Sequence, residues 1–498
     1  FDSVVVDEAH TLPAVVRGAG SVQVHRLRVL SAAKALTGVL DAHTPLVAAM
    51  VQHAETLADT LDAVLSAAAT DAGGDGAKVE PGADPLGSVG EEVAAWCTQA
   101  QRMITTATKD ASGAQQLKAR KVTSRIARLS ADVKQVRDAD LGFARWFEQG
   151  TTGASGLVPL TKLCLSPVDV SGLLHSQVWT VPVDPDDEDA PGAFPAPQGE
   201  GADVVGGGAA DDEVEVPRRP LAVAAVSATM PPSFPGEAGL KASLAAYESP
   251  FKDAYAGSML YVARGEVDGL GVPVRGHGKR QSLDTSRHPE WAVAVMRHLV
   301  EAAGGHALVL SATSAAGRLY AQRLRDHARG RWRVLSQWDG LSKQATTREW
   351  KADPSAVLVG TRSYMTGVDA PGVTCSLVIV DRVPRAAGNV VDDARVEVVA
   401  ERLGNEWAAR DMVYGVDAAQ LLEQAAGRLI RSGSDRGVVA VLDPRLLKRQ
   451  PFSYSESTRR IYMQALAAFP SASKSTDLAT VCAFLQSLTQ AGSELRAA

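Results

Sequence analysis

Several common patterns are absent from this sequence, and each absence narrows what the chain can be. Four cysteines occur in 498 residues, Cys97, Cys164, Cys375 and Cys482, and no two stand at the close spacing of a zinc or iron–sulfur site. Free thiols in a reducing compartment are therefore expected, which points to a cytoplasmic protein. No apolar run approaches the roughly 18 residues needed to cross a bilayer, so no spanning helix and no membrane partner are expected. The sequence starts at Phe1 and runs straight into apolar residues with no charged stretch before them. That excludes a signal peptide and reads as a chain whose start lies upstream. No Gly-x-x-x-x-Gly-Lys-[Ser/Thr] occurs: Gly278-Lys279 is followed by Arg280 and lacks the earlier glycine. The common phosphate-cradling loop is thus excluded within the chain. There is no surplus of basic charge either, since the net charge is −6. Any contact with a polyanion must come from a local surface.

What is present is ordinary globular material, 45% hydrophobic and 22% charged, and long enough for two or three domains. Phe1-Asp2-Ser3-Val4-Val5-Val6 reads as a strand buried on both faces, as in a parallel sheet. A long helical stretch is expected from Val22 to Ala69, with Val29, Ala33, Leu36 and Leu40 on one face. Asp71 to Gly90 is rich in Gly, Pro and Asp and reads as a mobile loop, with helix resuming from Glu91 to Gln149. Residues 182–217 hold Asp184-Pro185-Asp186-Asp187-Glu188-Asp189 and no Lys or Arg, so they cannot bury a core and are expected to be disordered. Beyond them, apolar runs at 221–226, 307–311, 356–360, 376–381 and 437–442 alternate with helical patterns at Pro289–Ala303 and Ala315–Ala328. That alternation predicts parallel α/β architecture. No fixed-period repeat is visible.

Four stretches carry chemistry. Asp7-Glu8-Ala9-His10 follows the first strand directly, and ligands of open α/β sheets gather at the carboxyl ends of strands. One carboxylate there suits Mg²⁺ held through water, and a second suits activation of an attacking water. Ser227-Ala228-Thr229 follows the strand at 221–226, where small hydroxyls can bond a neighbouring carboxylate. Gly360 to Gly372 follows another strand. Its glycines permit close approach to a ligand, and Asp369 offers an acceptor for a ribose or a basic side chain. Gln424-Ala425-Ala426-Gly427-Arg428-Leu429-Ile430-Arg431 places Gln424, Arg428 and Arg431 on one helical face. Paired guanidinium groups match phosphate oxygens. Gly427 inside such a helix costs about 1 kcal/mol relative to Ala, which suggests close packing there.

Taken in order, this set resembles superfamily 2 helicases, and within them the DinG/XPD-like branch. Asp7-Glu8-Ala9-His10 is similar to motif II, Ser227-Ala228-Thr229 to motif III, and His306 to Ser314 to motif IV. Gly360 to Gly372 is similar to motif V, and Gln424 to Arg431 to motif VI, continued by Ser434-Asp435-Arg436-Gly437 and Leu442-Asp443-Pro444-Arg445. Ser166-Pro167-Val168-Asp169-Val170 ahead of Trp179, and Ser249-Pro250-Phe251, favour DinG over generic DEAH helicases. The resemblance implies an α/β fold of two RecA-like P-loop NTPase-type domains, the first incomplete, with an inserted α-helical arch domain. Residues 1–10 and 161–250 would be the remainder of the first RecA-like domain, interrupted by a disordered acidic loop at 182–217, with 11–160 the arch and 251–498 the second RecA-like domain.

The same resemblance implies ATP and Mg²⁺ as cofactors and single-stranded DNA or a forked duplex as partner, for a monomeric enzyme unwinding 5′→3′ in DNA repair or replication. Asp7 would hold Mg²⁺ through water and Glu8 would activate the attacking water, with His10 part of the nucleotide site. Arg428 and Arg431 would face the γ-phosphate from the second domain, Arg431 as the main finger. Gln424 would help place the nucleotide, and Gly367 and Asp369 would couple it to DNA. In the family the P-loop and any iron–sulfur cysteines precede motif II, so truncation is the expectation, and a fragment without the P-loop is expected to be inactive. Rival readings are an RNA helicase, a translocase without unwinding, and a non-catalytic nucleic-acid-binding remnant. For DNA contact the residues chosen are Lys118, Lys121, Arg125 and Arg128, which share one helical face, and Arg362. Tyr364 is expected to pack in the core.

Overall fold

The computed structural model describes residues 3–140, 142–152, 158–183, 218–365, 375–448, 450–467 and 473–497. The acidic segment lies outside the described residues from position 184 onward, as do Gly367 and Asp369. In chain order the first elements are β1 (Ser3–Val6), α1 (Leu12–Ala19), β2 (Val22–Val24), α2 (Arg26–Thr37), α3 (Pro45–Ala72), α4 (Ser88–Ala107), α5 (Gly113–Asp138), β3 (Phe143–Thr152) and β4 (Val158–Pro167). Then come α6 (Ser171–Leu174), β5 (Thr180–Pro182), β6 (Arg218–Pro220), β7 (Ala222–Ala225), α7 (Phe234–Glu237), α8 (Lys252–Ala256), β8 (Met259–Val262), β9 (Val274–Arg275), β10 (Ser282–Leu283) and α9 (His288–Ala302). β11 (Ala307–Leu310), α10 (Ser314–Ala328), β12 (Val334–Ser336), α11 (Lys343–Ala352), β13 (Val357–Gly360), α12 (Arg362–Met365), β14 (Leu377–Val380) and α13 (Val390–Leu403) follow. The last are α14 (Glu406–Arg410), α15 (Val416–Ala426), β15 (Val438–Val441), α16 (Glu456–Ala465), β16 (Ser473–Ser475) and α17 (Leu478–Ala497). The chain divides into two compact units, Phe1–Leu244 with Gly388–Val399, and Ala245–Ala387 with Ala400–Ala498.

In the first unit β1 pairs in parallel with β7, Val4 opposite Val223 and Val6 opposite Ala225. The expected burial on both faces is not found: Ser3 and Val5 are exposed, Val5 to 70%. β7 is the partner of β1 among the described residues, and helices cover one face of the pair only, through Val4, Val6, Leu12 and Val16 packed on Leu174 and Trp179. The helical stretch expected from Val22 to Ala69 is interrupted. Val22–Val24 is a strand, and α2 and α3 are separated by a turn ending in Thr44-Pro45, where Pro occupies the first helical turn. The helix expected to run to Gln149 ends at Asp138, because Phe143 to Phe147 has the aromatic and alternating character of a strand and pairs antiparallel with β4.

Val29, Ala33 and Leu36 of α2 enter one core with Leu57, Leu61 and Leu65 of α3, Trp96 of α4 and Ile126, Leu129 and Val133 of α5. The Trp96 indole N–H donates to the Met50 carbonyl at 2.9 Å. The connection at 73–87 was expected to be loose, yet it is pinned. Val79 N–H donates to Arg145 O and Phe147 N–H to Ala77 O. The buried Arg145 guanidinium donates to the carbonyls of Glu80 at 2.8 Å and Ala83 at 3.0 Å.

The second unit is a seven-stranded sheet in the order β12-β13-β11-β14-β15-β8-β16, with every pairing parallel. β8, β11, β13, β14 and β15 are buried along their whole length, as continuous Val, Leu and Ile runs require when helices cover both faces. One face packs on α9, α10 and α17 through Trp291, Met296, Tyr320, Leu324 and Leu485. The other packs on α12, α15 and α16 through Tyr364, Leu422, Ala425 and Tyr462. The α/β class and the sites of β7, β11, β13, β14 and β15 agree with the sequence reading. β8, β12 and β16 were not foreseen.

Candidate nucleotide and nucleic-acid site

In the first unit the chain turns sharply where β1 ends. Glu8 has φ 49° and ψ 39°, a left-handed conformation that is uncommon for a residue with a Cβ. The turn is over-determined by its hydrogen bonds. Glu8 N–H donates to Asp7 Oδ1 at 2.8 Å, Thr11 Oγ1 donates to Glu8 O at 2.9 Å, and Ala9 N–H donates to Val226 O at 3.0 Å. Asp7 and Glu8 are both left exposed at the carboxyl end of the parallel pair.

The second strand of that pair delivers Ser227. Its hydroxyl lies 2.7 Å from His10 Nδ1 and 3.3 Å from Glu8 Oε2, and it accepts Thr229 N–H at 3.1 Å. Burial lowers the His10 pKa and Glu8 opposes this, with burial the larger influence. The 3.3 Å approach of His10 Nδ1 to Glu8 Oε2 is thus a polar contact of a mostly neutral imidazole at pH 7. Asp-Glu-Ala-His and Ser-Ala-Thr, 217 residues apart between His10 and Ser227, form one hydrogen-bonded cluster. Among the described residues no group of three or more His, Cys, Asp or Glu is placed to hold a metal directly. An exposed Asp7 with one oxygen committed to its neighbour's N–H still suits a hydrated cation, the mode in which Mg²⁺ keeps most of its waters.

In the second unit α15 ends at Ala426, with Gly427 as its cap, and Arg428 and Leu429 N–H groups fold back onto Ala425 and Ala426 carbonyls. Gln424, Arg428 and Arg431 therefore do not line one continuous helical face as the spacing suggested. Gly427 stands where the helix stops, with φ −64°, so the interior cost does not apply. Leu429 and Ile430 are buried in the sheet-facing core and fix the turn. Arg428 Nε donates to Met365 O at 2.9 Å, tying this turn to α12. The Arg431 backbone is set by Asp435, whose Oδ2 accepts Arg431 N–H at 2.7 Å and Ser432 N–H at 2.8 Å. Glu423, one turn earlier, is pushed up to about 7 by burial. Gly437 has to be glycine because a Cβ there would lie 2.2 Å from Ser376 O.

The stretch resembling motif V begins at Thr361, whose N–H and hydroxyl both meet Gln337 Oε1, at 2.8 and 3.0 Å. Arg362 is exposed, and Tyr364 is buried in the core as expected. Sequence reasoning missed Gln337 and also Asp381. Asp381 is fully buried, accepts Ala312 N–H at 2.8 Å and Tyr320 O–H at 3.1 Å, and is pushed up to about 6 by burial. Its signal was available: like Asp7, it directly follows an apolar strand. Lys118, Lys121, Arg125 and Arg128 are exposed along α5, beside the face that buries Ala119, Ile126 and Leu129, and Arg125 also donates to Ser31 Oγ.

Residues 296–457 match the helicase C-terminal domain family. Over 200 residues the chain is 38% identical to the ATP-dependent helicase DinG of Mycobacterium tuberculosis, a match covering 40% of this chain and 27% of that one. Over 193 residues it is 34% identical to the ATP-dependent DNA helicase YoaA of Escherichia coli, covering 39% of this chain and 28% of the relative. The matches thus span under a third of those relatives' length. A solved apo-XPD structure aligns with 95% of this chain and 76% of its own, at 15% identity and a TM-score of 0.48. The ordered motifs together with the C-terminal match make this chain similar to the DinG-like superfamily 2 helicases, with residues 296–457 matching the helicase C-terminal domain.

Proposed function

We propose that this chain is part of an ATP-dependent DNA helicase of the DinG type, which couples ATP hydrolysis to movement along single-stranded DNA and to unwinding in the 5′→3′ direction. The observation that supports it most is the union of Asp7-Glu8-Ala9-His10 with Ser227 in one hydrogen-bonded cluster at the carboxyl ends of paired parallel strands. Residues 1–10 and 161–250 belong in this reading to a first RecA-like domain, 11–160 to an arch-like insertion, and 251–498 to a second RecA-like domain. DNA repair or replication, a cytoplasmic location, a monomeric state and forked-duplex substrates belong to the same reading. An iron–sulfur cluster has no ligand set among this chain's cysteines, three of which are buried apart in the core.

When bound, Mg²⁺·ATP would supply the scissile phosphoanhydride and a cation to neutralise phosphate charge. Asp7 would hold that cation through water. Glu8 Oε accepts the proton of the attacking water, and its carboxylate is held in place by the Ser227 hydroxyl. His10, hydrogen-bonded to Ser227, transmits the position of the Ser-Ala-Thr segment to Glu8. Arg431 and Arg428 supply positive charge to the γ-phosphate, Gln424 helps seat the nucleotide, and Gly367 and Asp369 couple it to DNA.

The α5 face provides a binding test. Replacing Lys118, Lys121, Arg125 and Arg128 together by alanine is expected to flatten the plot of log K against log salt for a single-stranded oligonucleotide. The slope falls by about 2.8 if all four neutralise phosphates, at about 0.7 per contact. An unchanged slope in fluorescence anisotropy rules out this face as the contact.

A further inference from the structure

A second basic surface stands in the other unit, on an element that none of the helicase-like motifs includes. Residues 271–283 contain Arg275, Lys279, Arg280 and His277 and no Asp or Glu, a local charge of +3 in a chain whose net charge is −6. The stretch is ordered as a β-hairpin. β9 pairs with β10, Ser282 opposite Arg275 and Leu283 opposite Val274. Its tip is closed by Gly276, with φ 84°, where a Cβ would lie 2.5 Å from Arg280 O. Its base is fixed in the core: Leu283 and Val267 are buried, Asp284 N–H donates to Pro273 O at 2.9 Å, and the Trp291 indole N–H donates to Gly265 O at 3.0 Å.

Arg275, His277 and Arg280 are exposed on this rigid support. Among the described residues no carboxylate lies within ion-pair distance of either guanidinium. Asp284, the nearest acid in sequence, is occupied in accepting Ser286 Oγ at 2.6 Å and Ser286 N–H at 3.1 Å at the start of α9. The hairpin leaves the sheet from the carboxyl end of β8. Ser311-Ala312-Thr313 and Thr361 leave the same parallel sheet from the carboxyl ends of β11 and β13. Ligands of such sheets collect at that end. Two exposed guanidinium groups on a preformed hairpin, neither in contact with a carboxylate and Arg275 acting on Asp284 only at longer range, form a phosphate-contacting surface whose ordering cost has already been met by the fold.

We propose that the β9–β10 hairpin is a nucleic-acid backbone contact, with Arg275 and Arg280 each engaging a phosphodiester. It rests on the helicase reading above. The test is the salt dependence of binding by this chain to one oligonucleotide, offered as a single strand and as its duplex, followed by fluorescence anisotropy. For the single strand, R275A/R280A is expected to lower the slope of log K against log salt by about 1.4, two contacts at about 0.7 each. R275K/R280K, which keeps both charges, is expected to retain the slope. A slope change confined to the duplex supports the contact and assigns it to the double-stranded part of the substrate. An unchanged slope for both forms, while the unsubstituted chain binds, overturns the hairpin contact alone. No binding of either form by the unsubstituted chain overturns the hairpin contact and the helicase reading together.

Discussion

Replacing Arg431 by alanine is expected to lower DNA-stimulated ATP turnover by about 10³–10⁵-fold, the range an arginine finger contributes to phosphoryl transfer. The measurement is phosphate release by a polypeptide in which this chain is joined to a Gly-x-x-x-x-Gly-Lys-[Ser/Thr] loop, a sequence it does not contain. The Arg428 Nε donates to the Met365 carbonyl, so part of its guanidinium ties two segments of the second unit together. The Arg431 backbone is set by the Asp435 carboxylate and by the buried Leu429 and Ile430 just before it. Arg428→Ala is therefore expected to lower thermal stability as well as turnover. Arg431→Lys keeps a charge but loses the planar fork, and recovers only a small part of the rate.

Arg445→Ala is expected to destabilise the second unit by about 3–5 kcal/mol, because it leaves a buried carboxylate without its cation. Asp443 is fully buried, and Arg445 reaches it through Nε at 2.8 Å and Nη2 at 2.8 Å. Val383 N–H at 3.1 Å and Tyr454 O–H at 3.0 Å complete the cluster, and the Arg445 guanidinium also stacks on the Tyr454 ring. Burial pushes the Asp443 carboxyl up, but Arg445 and the hydrogen bonds outweigh it and hold the group below its ordinary 3.8. A carboxylate depressed in the folded state contributes stability that is full above the unfolded value near 3.8 and is lost as pH falls through the folded one. In Arg445→Ala the main opposing influence is gone, only the Val383 and Tyr454 hydrogen bonds are left against burial, and the sign is expected to reverse. The carboxyl rises above 3.8, and the deficit relative to the unsubstituted chain narrows on acidification. Urea unfolding at pH 7 and pH 5 reads both effects. An equal deficit at the two pH values means that the loss comes from packing of the arginine stem.

The parallel sheet was legible because its strands are short unbroken runs of Val, Leu and Ile bounded by polar turns, as at Leu377–Val380 and Val438–Val441. The first strand was half legible. Its three valines announce a strand, but how many of them are buried depends on neighbours that local sequence does not specify, and Val5 is exposed. The helical module misled because Ala-rich sequence supports helix almost anywhere. The breaks at 38–44 and at Phe143 are set by a proline and by tertiary pairing with β4. At the candidate site, residue identities were legible and their arrangement was not. Asp7, Glu8, His10 and Ser227 could be picked by type and order, yet the Ser227 hydroxyl between His10 and Glu8 is a consequence of the β1–β7 register. Arg428 and Arg431 were read onto one helix face, although Gly427 ends that helix before either is reached. Gln337 carried no spacing signal, because its partner Thr361 lies on a separate element.

The proposal that these residues are parts of a DNA-stimulated ATP hydrolysis site is best tested by phosphate release with and without single-stranded DNA, for the chain alone and joined to a P-loop-bearing segment. The expected result is no turnover by the chain alone, and DNA-stimulated turnover by the joined protein that Glu8→Gln abolishes. Robust turnover by the chain alone that Glu8→Gln abolishes contradicts the need for the phosphate loop. Turnover by the joined protein that ignores both DNA and Glu8→Gln contradicts the claim itself.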